Sequence, residues 1–249
     1  MEGFDPASSF GPDVAAHYDD HPRGDEEAAV AFLAQVARRR PALEFAIGTG
    51  RIALPLTGRG VPVDGIELST HMVERLRAKP GGSQINVTIG DMSVATTGQR
   101  YGLVYIVFNT IFNLLTAEDQ ISCFENAARH LAADGHFVVE AALPHAWIEP
   151  GKSDYVHAEH VGKDIVGLDV ARYDPVTQLL EENHVRLTAS GIELSPIVCR
   201  LITPGEMDLM ARIAGLRLVD RFANWQRSAF DARSSAHVSV YGIESPRLR

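Results

Sequence analysis

Leu43-Glu44-Phe45-Ala46-Ile47-Gly48-Thr49-Gly50 is the stretch whose reading decides the fold. Residues 42–47 are an apolar run that suits a buried strand, and two closely spaced glycines then interrupt it. Gly48 and Gly50 carry no Cβ, so a ligand can approach the backbone where a strand gives way to a helix with unpaired N–H groups. Ala46 stands where a dinucleotide fingerprint has its first glycine, so the stretch alone fits either a nucleotide-binding turn or an empty tight βα turn.

Working outward, strand-like and helix-like segments alternate. Upstream, 25–40 reads as an amphipathic helix with Ala29, Phe32, Leu33 and Val36 on one face. Arg38, Arg39 and Arg40 would fill its last turn, favourable at the negative helix end, before Pro41 stops it. Downstream, a helix over 50–57 is closed by Gly58 and Gly60, and 61–68 is a strand. Ser69 caps a helix reaching residue 79, and 85–89 and 101–108 are strands, the latter apolar enough for burial on both faces. Thr116 caps a helix reaching residue 131, and 136–143 is a fifth strand. This rhythm predicts right-handed βαβ crossovers and a doubly wound α/β sheet.

The rhythm breaks after Pro144. Four strand-like stretches over 155–202 are separated at Gly162-Lys163-Asp164, Asp174-Pro175 and Ser190-Gly191, which predicts a four-stranded antiparallel sheet inserted as a cap over 151–200. Thr203-Pro204-Gly205-Glu206 is a capping box opening a helix to residue 214. Strands 216–223 and 237–243 follow, joined by a loop without helical pattern, so they should pair as a hairpin. Residues 1–150 and 201–249 then form one core that ends in this hairpin.

The 249 residues allow one α/β domain with a sub-domain, at about 150 residues per domain. Apolar residues at 45% and charged residues at 22% exclude a disordered chain. A formal charge of −9 argues against a nucleic-acid partner, because it repels phosphate backbones. No apolar run approaches the roughly 18 residues of a membrane span, and MEGFDPASSFGPD has no apolar signal-peptide region. Cys123 and Cys199 lie far apart and form no disulfide framework. The expectation is a soluble cytoplasmic protein, monomer or homodimer.

Two further motifs follow the next two strands. Glu67, in Gly65-Ile66-Glu67-Leu68-Ser69, should end the second strand beside the glycine turn, where a carboxylate accepts both hydroxyls of a ribose. Asp91 and Met92 follow Gly90 after the third strand; the carboxylate could accept an exocyclic adenine amine while the thioether packs on the ring. Each alone fits a turn or cap equally well. Together they place parts of an adenosine site at the carboxyl edge of one sheet. No metal is expected: His17 and His21 have helical spacing but no third ligand, and His157 and His160 fall on opposite faces of one strand.

These motifs resemble the class I S-adenosylmethionine (SAM)-dependent methyltransferases: Glu44 to Gly50, Glu67, Asp91-Met92, and Leu131-Ala132-Ala133-Asp134-Gly135 leading the fifth strand. The resemblance implies SAM as cofactor and a doubly wound, seven-stranded Rossmann-like sheet over 1–150 and 201–249, with strands six and seven as the terminal hairpin and strand seven antiparallel. Glu44, Ala46, Gly48 and Gly50 belong to its first motif, whose Ala46, Gly48 and Gly50 would line the methionine portion. Glu67 would hold the ribose with Leu68 beside it, Asp91 and Met92 the adenine, and Phe108 would sit beside the cofactor after strand four. Ala46 replaces the family's usual first glycine, and Gly102 stands where an Asp often starts strand four. Residues 1–23 would be a lid, with Tyr18 over the cofactor and near the acceptor, and the cap would cover the acceptor side.

The chain looks most like the aminosugar N,N-dimethyltransferases, which also insert a four-stranded sheet. They carry a His after strand four near the acceptor nitrogen, and its nearest match here is Asn113, which can orient an acceptor but not take a proton. Arg23 is expected to be an exposed loop residue, with the methionine carboxylate as its alternative partner. The implied activity is methyl transfer to a small-molecule acceptor, on N or O, without an evident general base. Two alternatives share the nucleoside logic: a non-catalytic SAM-binding protein and an NAD(P)-dependent oxidoreductase.

Overall fold

The computed structural model describes residues 1, 3–6, 9–20 and 22–243, so His21 lies outside the described residues. Five strands run parallel: β1 (Ala42–Phe45), β2 (Val63–Glu67), β3 (Val87–Ile89), β4 (Tyr101–Ile106) and β5 (Leu131–Ala142). The cap follows as β6 (Asp154–Val161), β7 (Ile165–Asp174), β8 (Leu179–Thr188) and β9 (Gly191–Arg200), a separate antiparallel sheet in chain order. The chain then returns to the first sheet with β10 (Leu216–Phe222) and β11 (Ala236–Ile243). β11 runs antiparallel to both β10 and β5, as the hairpin reading requires. The seven-stranded order is β10-β11-β5-β4-β1-β2-β3. Chain order reverses between β1 and β4, which opens a crevice at their carboxyl ends.

Side-chain alternation along β4 explains the layers. Leu103 and Tyr105 join Phe32 and Leu33 of α2 (Glu26–Ala37) and Leu56 of α3 (Ala53–Gly58). Val104 and Ile106 face the opposite way, among Phe124 and Ala127 of α5 (Ala117–His130) and Met207 and Ala211 of α6 (Pro204–Ile213). All six β4 residues are buried, as the apolar run predicts. On the cap's inner face, Ala171, Leu180 and Cys199 are buried in that second cluster, so one end of the cap is part of the core. No helix among the described residues is long and apolar enough to cross a membrane.

Caps hold where local chemistry specified them. The Thr116 side chain accepts from Asp119 N, and Thr203 and Glu206 make the reciprocal capping box. Four expectations are corrected. The first helix ends at Ala37 rather than at 40, because Arg38 and Arg39 turn left-handed (φ 51° and 62°) to reverse the chain into β1. Arg40 instead reaches across to the Gly102 carbonyl at 3.3 Å and to Asp134 at 2.6 Å. A Cβ on Gly102 would lie 2.6 Å from Arg40 Cβ, which accounts for the glycine at the head of β4. α3 begins at Ala53, not 50, because the preceding turn holds left-handed residues up to Gly50.

β5 starts at Leu131, directly after α5, with a register break against β4 between Tyr101 and Leu103. In β6 a bulge between Ala158 and His160 shifts the alternation. His157 then opposes Asp169 and His160 opposes Gly167, both on the same side of β7, so the two histidines share a face after all.

Candidate active site

The glycine-rich turn is shaped by left-handed backbone. Ala46, Gly48 and Gly50 have φ of 53°, 55° and 76°. That conformation costs a non-glycine residue about 1–2 kcal/mol, so Ala46 holds the turn under strain that a glycine would not feel. Gly48 and Gly50 differ in use. A Cβ on Gly48 would sit 3.3 Å from Met72 Cε, and Gly48 lines a cavity. A Cβ on Gly50 would sit 2.4 Å from Leu76 Cδ1, so this glycine serves the packing of α4 (Thr70–Ala78) and lies outside the lining.

Glu67 ties that turn to the end of β2. It is 6% exposed, and its Oε2 and Oε1 each accept at 2.8 Å, from the N–H groups of Gly48 and Ser69. Burial raises its carboxyl above the ordinary value, while the backbone donors partly offset that. Each carboxylate oxygen has a second lone pair, so both can still accept from a diol. After β3, Asp91 Oδ1 accepts from Ser93 N and Oγ, both at 2.7 Å, which fixes the turn that presents Met92. Buried Asn126 secures the same turn by donating to the carbonyls of Met92 (2.8 Å) and Ala95 (2.9 Å).

Ala46, Gly48, Glu67, Leu68, Asp91 and Met92 all line one cavity at the carboxyl ends of β1, β2 and β3. Tyr18 closes it on the lid side, and Thr110, Asn113 and Leu114 wall it after β4. The mix fits SAM: a carboxylate under a ribose, a second carboxylate beside a thioether for adenine, and a backbone turn without side-chain bulk.

Besides Gly50, two further expected residues sit outside the lining. Glu44, 2% exposed, is outside the lining; its carboxylate accepts from Tyr105 OH at 2.9 Å and from the Ala53 N–H. It thereby anchors the first turn of α3 beneath the glycine loop. Burial pushes its carboxyl well above the usual value, and the Glu67 charge adds to that. Phe108 is also outside the lining, with the Arg23 guanidinium 4.4 Å and that of Arg51 5.5 Å from its ring centre.

The N-terminal segment is held down more firmly than its composition suggests. α1 (Pro12–His17) lies beside α4, where Arg75 donates to the Ala16 carbonyl at 3.1 Å and Ser69 Oγ to the Phe10 carbonyl at 2.6 Å. Asp19 accepts from Thr49 Oγ1 and pairs with Lys79, each at 2.7 Å. Burial alone would raise the Asp19 carboxyl, but these two partners hold it below its ordinary value. The Tyr18 ring lies 6.2 Å edge-on from Phe10 and 4.6 Å from the Arg51 guanidinium, and burial raises its hydroxyl pKa. Arg23 is not a free loop residue: it pairs with Glu140 at 3.0 Å. Sequence reasoning missed Pro6, Phe10, Ile66, Met72, Thr110 and Leu114 in the lining. Phe10, the one large apolar side chain near Tyr18 in the lead segment, was the available signal.

Comparison with known proteins agrees with this geometry. Residues 42–135 match a family model described as a methyltransferase domain. The CcbJ methyltransferase from Streptomyces caelestis is 36% identical, with 97% of this chain and 100% of that one aligned and a TM-score of 0.90. A cypemycin N-terminal methyltransferase of Streptomyces sp. is 23% identical over 82% of this chain and 85% of its own length. A dTDP-3-amino-3,6-dideoxy-alpha-D-glucopyranose N,N-dimethyltransferase of Streptomyces fradiae is 29% identical over 54% of this chain and 55% of its own. The chain belongs to the SAM-dependent methyltransferases. It is an enzyme that uses SAM, which removes both the oxidoreductase and the non-catalytic alternatives.

Proposed function

We propose that the chain methylates an amine nitrogen of a small-molecule acceptor held between the lid (1–23), the segment after β4 and the cap (151–200). The observation that carries this is the chemistry of the acceptor-side wall. Thr110, Asn113 and Leu114 carry no basic group, and burial raises the Tyr18 hydroxyl further above its already high ordinary pKa. A hydroxyl acceptor needs a base to become nucleophilic; a free amine does not. One relative named above is an N,N-dimethyltransferase and another methylates at an N-terminus, which supports the same choice.

SAM, when bound, supplies a methyl group activated by a sulfonium. The chain's own residues supply placement. Glu67 takes the ribose diol, Asp91 the adenine amine, and Leu68 and Met92 the ring faces. Ala46 and Gly48 admit the methionine end, with Gly50 and Glu44 supporting that loop from below and Phe108 beside it. Tyr18 excludes water, and Asn113 orients the acceptor nitrogen in line with the methyl group. Asn113 is itself fixed from the cap, with Cys199 Sγ 3.8 Å from its Oδ1. We place the enzyme in the cytoplasm, as a monomer or homodimer without nucleic-acid or membrane partners, consistent with the charge of −9.

The test is to incubate the protein with SAM and a panel of amino sugars, their nucleotide conjugates and the corresponding hydroxy sugars. Mass spectrometry should show one or two added methyl groups on amines alone. Methylation confined to the hydroxy sugars overturns the nitrogen assignment.

A further inference from the structure

Glu140, near the end of β5, is 5% exposed and carries no role in the nucleoside site. Its carboxylate nevertheless meets two segments that border the reaction. Oε2 accepts from the Phe108 N–H at 2.5 Å, and the two oxygens take Arg23 in a fork at 3.0 and 3.4 Å. Arg23 closes the triangle by laying its guanidinium over the Phe108 ring at 4.4 Å.

The contact on Phe108 falls at a strained point. Phe108 and Asn109 both adopt left-handed φ, 58° and 62°, which for two consecutive non-glycine residues persists only where surroundings hold it. β5 supplies that hold twice, through Glu140 on Phe108 N and through the Ala142 N–H donated to Asn109 Oδ1 at 2.6 Å. The next residues, Thr110–Asn113, form the short 3-10 turn that walls the cavity. On the other side, Arg23 ends the segment that carries Tyr18, and Arg51 stacks on both the Tyr18 and Phe108 rings.

We propose that Glu140 is a positioning residue: one buried carboxylate sets the register between the lid and the acceptor-side wall, so that Tyr18 and Asn113 are placed together. The inference rests on the methyl-transfer reading above. It assigns to an acid outside the cofactor site the coupling of two walls that no motif connects.

The experiment uses the full chain with Glu140→Gln, Arg23→Gln, Arg23→Lys and the Gln/Gln double variant. Hydrogen exchange is followed over 12–19 and 108–114, with and without S-adenosylhomocysteine, alongside calorimetric titration of that ligand. Either single Gln variant should speed exchange in both segments and weaken binding by about three- to tenfold, as loss of a charge-assisted pair implies. The double variant should be no worse than the worse single, because both remove the same contact. Arg23→Lys, which keeps the charge, should recover part of the protection.

Arg23 is partly exposed, so its variants test the idea even if Glu140→Gln folds poorly. Arg23→Gln loosening 12–19 while 108–114 exchanges as in the wild type overturns the coupling, as do additive effects in the double variant. Wild-type protein that does not bind S-adenosylhomocysteine overturns the methyl-transfer reading instead.

Discussion

At the scale of single residues, Glu67 and Glu44 show how two carboxylates in adjacent strands divide structural and binding duties. The Glu67 oxygens that accept from Gly48 and Ser69 keep lone pairs for a ribose, so removing the side chain both empties the diol site and strands two buried donors. Charge-assisted hydrogen bonds contribute about 1.5–3 kcal/mol each, so Glu67→Ala should lower SAM affinity at least about tenfold and also destabilise the fold. Glu67→Gln keeps one acceptor but turns an amide NH2 toward the other buried N–H, so it should cost less stability than Glu67→Ala while still binding weakly. Unchanged calorimetric affinity in both would refute the ribose assignment. Glu44 has the opposite profile, with a carboxyl raised by burial and no contact with the cavity. A folded-state value raised above the unfolded one gives stability that is fully present at acid pH and lost as pH rises through the folded value. Thermal melts at pH values rising from the ordinary carboxyl range should therefore show the wild type losing stability relative to Glu44→Gln, superimposed on the opposite slope from His237, whose pKa burial lowers to about 3. Equal slopes in the two proteins would mean that another group carries the pH dependence.

Among the elements, the lid makes the sharpest demand on Tyr18. As a lid its ring would cover the SAM sulfonium, and it already carries the Arg51 guanidinium at 4.6 Å, so part of that cation–aromatic contact is internal to the protein. Such contacts contribute about 0.5–2 kcal/mol, so Tyr18→Ala should weaken SAM binding by about two- to thirtyfold, and binding of S-adenosylhomocysteine, which is neutral at sulfur, by less; Tyr18→Phe keeps the ring and most of the affinity. A Phe variant as weak as the Ala variant would shift the role from ring to hydroxyl. The same elements show why some structure was readable and some was not. The cap strands and the Thr203–Glu206 capping box were legible because strand-like runs, hairpin breaks and Thr-x-x-Glu chemistry are local. Glu67, Asp91 and Met92 were legible because each follows a strand that ends at the same edge. The ends of α2 and α3 were not, since they depend on left-handed residues at Arg38, Arg39 and the 46–50 turn, which side-chain pattern does not report. The Arg23–Glu140 pair was hidden for a different reason: its partners lie 117 residues apart and meet only through the sheet.

For the molecule as a whole, the question is how far the cofactor site depends on the cap. None of the residues lining the cofactor cavity comes from 151–200, yet Ala171, Leu180 and Cys199 are buried in the core shared with Phe112 and Phe124. The cap's inner end is thus part of the core, and we expect it to add stability while the nucleoside contacts come from the other sheet. Its two ends lie at the same side of the four-stranded sheet, three strand spacings or about 14 Å apart, so a six-residue Gly/Ser linker reaching about 20 Å can replace it. The shortened chain should melt lower by at least about 4 °C, because Phe112 and Trp147 lose cover, which corresponds to about 1–2 kcal/mol for a protein of this size. Its affinity for S-adenosylhomocysteine should stay within about fivefold of the full chain, a shift under about 1 kcal/mol. Methyl transfer to any acceptor found for the full chain should disappear. A shortened chain that gives a native circular dichroism spectrum but no longer binds the ligand would show that the cap belongs to the cofactor site, and the division between the two sheets would have to be redrawn.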